Sequence, residues 1–436
     1  MLAADNCEGK HKVTLEGHRF RWAWTVALLC FVIAGSTGAL LRFGTLWGFP
    51  AGLHLFNVRH AHSHLMYFGW VTPALMALIA SRLPQMGART TDAAFNRVLR
   101  ALFAAALLAY IPFLLFGYQP VSIGDANIPL AMIGAAANVL VWYAFVWSYV
   151  RATSHLRRST PLRLWDASLV FLVLASLGAW GLALGGILSV DSPLLSLALT
   201  HVFLDLFADG WFVLALLGLV FGAFPQSAGS RAAYWGENLL VIGLPLTFLL
   251  SLPATALPPT VRILAGLSGA LVAAGLFTIL YALLPAAYRQ RRWRWIPPLA
   301  FLGLKALAEL VISFPAGALW ANQLALRISY LHWLLLGFVT LGLAAAAIDR
   351  WGPAAARGNA WLVASVILVL LTLIPLTRLW PPSLAGRWAL EAAAWATLGP
   401  VLVALFMCAM LLKGNDAHLW PINKKRAREL QPQPTE

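Results

Sequence analysis

Apolar runs long enough to cross a bilayer recur along this chain about every 35 residues, a spacing set by the roughly 20 helical residues that span a hydrocarbon core. Twelve such runs centre in 20–43, 60–81, 99–118, 127–150, 165–188, 195–224, 236–257, 262–285, 296–316, 326–348, 360–380 and 388–413. They are continuous, not alternating. Only helices and closed barrels satisfy every backbone polar group in lipid, and barrel strands alternate, so helices are expected. A mean hydropathy of +0.77 and a charged fraction of 11% exclude a soluble domain. No stretch between the runs is long enough for one. The expectation is an all-α integral membrane protein, one polytopic domain over residues 1–436 with a lipid bilayer as its first partner. The first run lacks a small-residue cleavage pattern and is read as a retained helix.

The net charge of +15 is a statement about topology, not about an acidic partner. With the amino terminus cytoplasmic, only Arg42, Arg59, Arg262, Arg327, Arg378 and Arg387 face the other side, and Lys305 falls inside a helix. That asymmetry follows the positive-inside rule. It predicts a multi-pass protein of the inner (plasma) membrane with both tails, 1–19 and 414–436, in the cytoplasm. Nucleic-acid binding is a poor reading, because the basic residues are spread over many loops. Cys7, Cys30 and Cys408 form no CxxC or CxxCH pattern, which argues against a thiolate metal site and covalent haem.

Three segments share a local signature. They are His60-Ala-His62-Ser-His64-Leu-Met-Tyr-Phe-Gly69-Trp70, His201-Val-Phe-Leu-Asp205-Leu-Phe-Ala-Asp209-Gly210-Trp211 and Tyr330-Leu-His332-Trp-Leu-Leu-Leu-Gly337-Phe338. His64, Asp205 and His332 each lie five residues before the glycine, and His60 and His201 each lie nine before it. The glycines are separated by 141 and 127 residues, about the length of four spans with short loops. Three four-helix units follow, roughly 20–150, 165–285 and 296–413, related by a pseudo-threefold axis with the marked segments as the second helix of each.

Imidazoles and carboxylates are costly in hydrocarbon, so a set at one depth suggests a site. Residues four apart on a helix differ by about 40° of rotation and residues two apart by about 200°. His60 and His64 therefore share a face and His62 points away from it. His201 and Asp205 share a face, and Tyr330 points away from His332. Imidazoles from two facing helices suit a haem, and two to four convergent N or O donors suit a transition metal such as copper. Lys305 and Glu309 form an i,i+4 pair whose default reading is structural, with a proton path or a haem propionate as the functional ones. Asp205 and Asp209 equally fit a proton-coupled transport path. The Gly-aromatic pairs are read as close helix packing.

At these residues the chain resembles the haem–copper oxidase superfamily, whose catalytic subunit has twelve helices in three pseudo-symmetric arcs. The family's low-spin haem histidine is followed by Met four residues on and Pro eleven on, as His62, Met66 and Pro73 are here; Arg59 to His62 is similar to the Arg-x-x-His of nitric oxide reductases. On the tenth helix the family has His-x-His, and here Tyr330-Leu-His332 keeps the low-spin position and replaces the high-spin one. The seventh helix, which carries a copper histidine pair in the family, has none here. His62-Ser-His64-Leu-Met66-Tyr-Phe68-Gly69 also looks like the His-x-His-x-Met-x-Phe-Gly signature of NnrS-type membrane proteins, relatives associated with nitric oxide metabolism. Leu331-His332 with Gly337 and Gly342 is similar to their late Leu-His-x4-Gly helix.

The resemblance implies haem b between His62 and His332. His60, His64, His201 and Asp205 are candidates for a second metal, copper among those considered, or for a gas or proton site. Asp205, Tyr330 and Glu309 are the candidates for a reacting or proton-carrying group. The implied task is electron transfer or handling of a diatomic gas, nitric oxide or oxygen, short of full oxidase turnover, with an electron donor or small partner subunit. If this is an enzyme, it is an oxidoreductase. The alternative is a proton-coupled transporter that uses the His and Asp residues as a relay.

Overall fold

In the computed structural model, residues 19–89, 92–323, 326–377 and 379–419 are described. Most of the two expected tails lies outside these. The twelve spans are α1 (Arg21–Trp47), α2 (Leu55–Met86), α3 (Asp92–Phe116), α4 (Leu130–Thr153), α5 (Thr160–Ile187), α6 (Pro193–Ala223), α7 (Arg231–Ser251), α8 (Pro259–Arg289), α9 (Trp293–Ile312), α10 (Arg327–Trp351), α11 (Pro353–Leu376) and α12 (Arg387–Lys413). The protein is an all-α integral membrane protein, as the continuous apolar runs require. Helix starts are punctuated by proline in the first turn, where its missing N–H costs nothing: Pro161, Pro193, Pro259 and Pro353. Among the described residues strand is confined to a hairpin, Val121–Ile123 against Ala126–Ile128. An even number of spans among the described residues puts the start of α1 and the end of α12 on one face, called here the terminal face; the hairpin lies on the opposite, distal face.

The second helix of each unit is central. Of the most apolar stretch of each, α2 is 89% buried, α6 94% and α10 78%, against 33–50% for the other nine spans. Each of the three widens into a π-helical turn at the signature: Leu65–Val71, Leu206–Val213 and Trp333–Thr340. Such turns insert one residue into an α-helix and shift the faces on either side of it.

The signature glycines lie against the first helix of their own units. A Cβ on Gly69 would meet Cys30 on α1; on Gly210, Phe171 on α5; and on Gly337, Phe301 on α9. Six residues before each of those contacts stands a fully buried tryptophan: Trp24, Trp165 and Trp295. Each unit therefore repeats in its first helix as well as its second.

Where the three central helices meet, the indole of Trp211 on α6 donates to the Thr72 hydroxyl on α2 at 3.3 Å, and that of Trp70 on α2 donates to Thr340 on α10 at 3.2 Å. The third place in this cycle pairs Phe338 of α10 with Val213 of α6 by register, so both members of the polar pair are replaced together. On the terminal face Arg163 grips Glu237 through two nitrogens at 2.8 and 2.7 Å, tying α5 to α7. Arg292 and the Trp295 indole both reach Asp349, tying α9 to α10.

Candidate functional site

The run expected to open at 60 begins at Leu55, so the three histidines of α2 sit within the helix, beyond its first turn. The backbone sends them in two directions. His62 turns to α1, where Nδ1 lies 2.7 Å from the Ala34 carbonyl. Gly38 makes this possible, because a Cβ there would stand 2.8 Å from the imidazole. On α10, His332 Nδ1 lies 2.7 Å from the Ile328 carbonyl, one turn back. A carbonyl only accepts, so both rings carry their proton on Nδ1 and present the Nε2 lone pair. His332 lies within electrostatic range of His62 and of Arg42, and His62 within range of Arg42. Both rings are half-buried.

These are donors of the type a b-type haem takes. Two neutral imidazoles on neighbouring helices, each held by a backbone carbonyl on its outer nitrogen, are what axial ligation asks of a protein. No hydrogen bond within the described residues occupies either Nε2.

His60 and His64 face α3. The His64 ring is stacked 3.8 Å from Phe113, and His60 meets Tyr118 edge-on at 4.7 Å. His64 Nδ1 is bound to the His60 carbonyl at 2.9 Å. Tyr118 lies beyond the end of α3 and is half-exposed. His201 is elsewhere: Arg327 Nη2 of α10 lies 2.9 Å from its Nδ1, and Asp205 Oδ2 lies 3.4 Å from the same atom. The three residues expected to hold a second metal therefore do not converge. Among the described residues no group of three or more His, Cys, Asp and Glu is placed to hold a metal ion.

A different polar cluster fills the space between α6, α9 and α10. Lys305 Nζ stands 2.6 Å from Glu309 Oε1, 3.0 Å from Asp209 Oδ1 and 2.8 Å from the Tyr330 hydroxyl. Tyr330 donates to the same Glu309 oxygen at 3.2 Å. Lys305, Glu309 and Asp209 are 3%, 3% and 7% exposed. One turn towards the distal face, Asp205 accepts from Ser251 of α7 at 2.8 Å.

The i,i+4 spacing made the Lys305–Glu309 pair legible. Its continuation to Asp209 and Tyr330 was not, since neither lies near it in sequence. Tyr330 and Glu309 are thus one site, and Asp205 borders it. The Trp24, Trp165 and Trp295 repeat was also missed: Trp24 and Trp165 stand at the 141-residue spacing of the glycines, but Trp295 falls three residues beyond the 127-residue one. No protein-family model matches this chain, and no curated protein sequence matches it.

Proposed function

We propose that the chain is a divergent haem–copper-oxidase-like protein that holds a low-spin b-type haem between His62 and His332. Its work is electron transfer or the handling of nitric oxide or oxygen. The observation that carries this is the pair of imidazoles with Nδ1 tied to the Ala34 and Ile328 carbonyls and Nε2 free. A haem there would supply one-electron chemistry, with its potential set by axial ligands and burial. The chain's own contribution is to fix the two ring tautomers, to place Arg42 beside them, and to keep bulk water away by burial in the membrane. Tyr330 stands where the family has its high-spin ligand and is engaged with Lys305 and Glu309, which supports a role short of oxidase turnover. The basic loops support a cytoplasmic terminal face in a bacterial-type inner membrane. The role of a partner subunit as electron donor belongs to the same proposal.

Protein purified from a haem-replete host should show a Soret band and about one iron per chain. His62→Ala and His332→Ala should each remove or shift that band while the protein stays monodisperse. A wild-type preparation with neither band nor iron, or a spectrum indifferent to both substitutions, ends the reading. A second reading, a proton-coupled transporter, is favoured by the buried ion cluster on α6, α9 and α10. It predicts metal-free protein whose transport is abolished by Asp205→Asn.

A further inference from the structure

The Asp209–Lys305–Glu309 cluster does not balance. Two carboxylates face one ammonium inside the helix bundle, and with both acids ionised the group carries one uncompensated negative charge. Burying such a charge costs several kcal/mol after relaxation, and a protein avoids the cost by binding a proton. The hydrogen bonds indicate where the proton sits. Glu309 Oε1 takes donors from both Lys305 and Tyr330, which favours its ionised form. Among the described residues Asp209 meets only Lys305, through Oδ1 at 3.0 Å, in a residue 7% exposed. Glu309 Oε2 is buried without a hydrogen bond among them. A metal cation is not the missing charge, because Lys305 Nζ already occupies the position between the carboxylates.

We propose that Asp209 binds one exchangeable proton within the membrane and exchanges it with water at the distal face past Asp205. The charged and titratable groups around Asp209 are Asp205 on its own helix, Lys305 and Glu309 on α9, Tyr330 on α10, and Tyr67 on α2. Helix α5 adds Phe171 against Gly210, and α7 adds Ser251 against Asp205, neither of which titrates. The π-helical turn Leu206–Val213 contains Asp209 and presents it to α9. Asp205 lies one turn closer to the distal face, partly exposed, beside His201 and the exposed Arg327. In the exchange a hydronium ion at that corner gives up its proton, the Asp209 carboxylate becomes the acid, and water is left behind. Nothing is oxidised or reduced.

The full chain in nanodiscs tests this by infrared difference spectroscopy between mildly acid and alkaline pH, in H2O and D2O. A titrating carboxylic C=O band that shifts in D2O should be present in the wild type, absent in Asp209→Asn and restored in Asp209→Glu. In Glu309→Gln, Asp209 alone balances Lys305, so its proton affinity should fall by about tenfold or more, an opposite charge being worth one to three pH units to a carboxylate. In vesicles of known orientation, a pH jump on the distal side alone should move the band, and Asp205→Leu should slow that response. A wild type without the band overturns the proposal, as does a band that survives Asp209→Asn or answers only to the terminal side. The proposal is independent of the haem reading: the Soret band should survive Asp209→Asn, and the carboxyl band should survive His62→Ala.

Discussion

The cycle of tryptophan and threonine at the centre of the bundle makes a quantitative demand. Trp211 donates to Thr72 across the α6–α2 contact at 3.3 Å, with Trp211 and Thr72 both fully buried. An interhelical hydrogen bond in a bilayer is worth about 0.6 kcal/mol on average and about 1.7 at most. Thr72→Val keeps the side-chain shape but leaves the indole N–H in a dry interior, where an unpaired polar group costs about 1–3 kcal/mol. Trp211→Phe removes that donor and also part of a large ring, so it carries a cavity cost of its own. In the double variant the orphaned N–H is gone and only the cavity remains, which recreates the Phe and Val combination that residues 338 and 213 hold at the corresponding register positions. The double variant should therefore be more stable than the sum of the two single losses by about 1 kcal/mol. Reversible unfolding in mixed micelles, followed by far-UV circular dichroism so that the lost tryptophan does not bias the signal, gives the coupling energy. A value within about 0.3–0.5 kcal/mol of zero is ordinary additivity and would refute the hydrogen-bonded cycle.

Two further outcomes follow from packing and charge. Gly210→Ala drives a methyl into the Phe171 side chain, and overpacking of this kind should cost about 1–3 kcal/mol in the same assay; a variant as stable as wild type would mean that α5 and α6 are not in contact there. Lys305→Met strands Asp209 and Glu309 beside each other and should cost about 3–5 kcal/mol, the usual penalty for removing one partner from a buried ion pair. Adding Asp209→Asn and Glu309→Gln to it should recover most of that loss. If the triple variant is no better than Lys305→Met alone, the charge balance is not what the lysine provides.

The twelve spans were legible because they rest on physics local to the sequence. A bilayer fixes the length of an apolar run. Helical rotation also separated His62 from His60 and His64: the first turns to Ala34 on α1, the others to Phe113 on α3. What was not legible depends on which helices are neighbours in space. Lys305 and Asp209 are 96 positions apart, and nothing in either segment announces the other. The π-helical turns were invisible for a related reason. A run of apolar residues reads the same whether it winds at 3.6 residues per turn or more, and only packing against α1, α5 and α9 decides.

The matched positions that first pointed to a shared site explain why there is none. In a threefold repeat, equivalent residues are copies, and the axis turns each copy a third of the way round. Unless they point at the axis they cannot meet. His60 and His64 of the first unit face α3, its third helix. Asp205, five residues before its glycine in the same way, meets Ser251 of α7, the third helix of the second unit, whereas His201 meets Arg327 of α10. These side chains are turned to different helices, and among the described residues no three of them gather. Groups that do come together occupy inequivalent positions across a seam between units. His62 stands seven residues before Gly69 and His332 five before Gly337, and they approach where the third unit closes on the first. Asp209 stands one residue before Gly210 and reaches Lys305 where the second unit meets the third. A repeat of this kind builds its chemistry at the seams, where its copies differ.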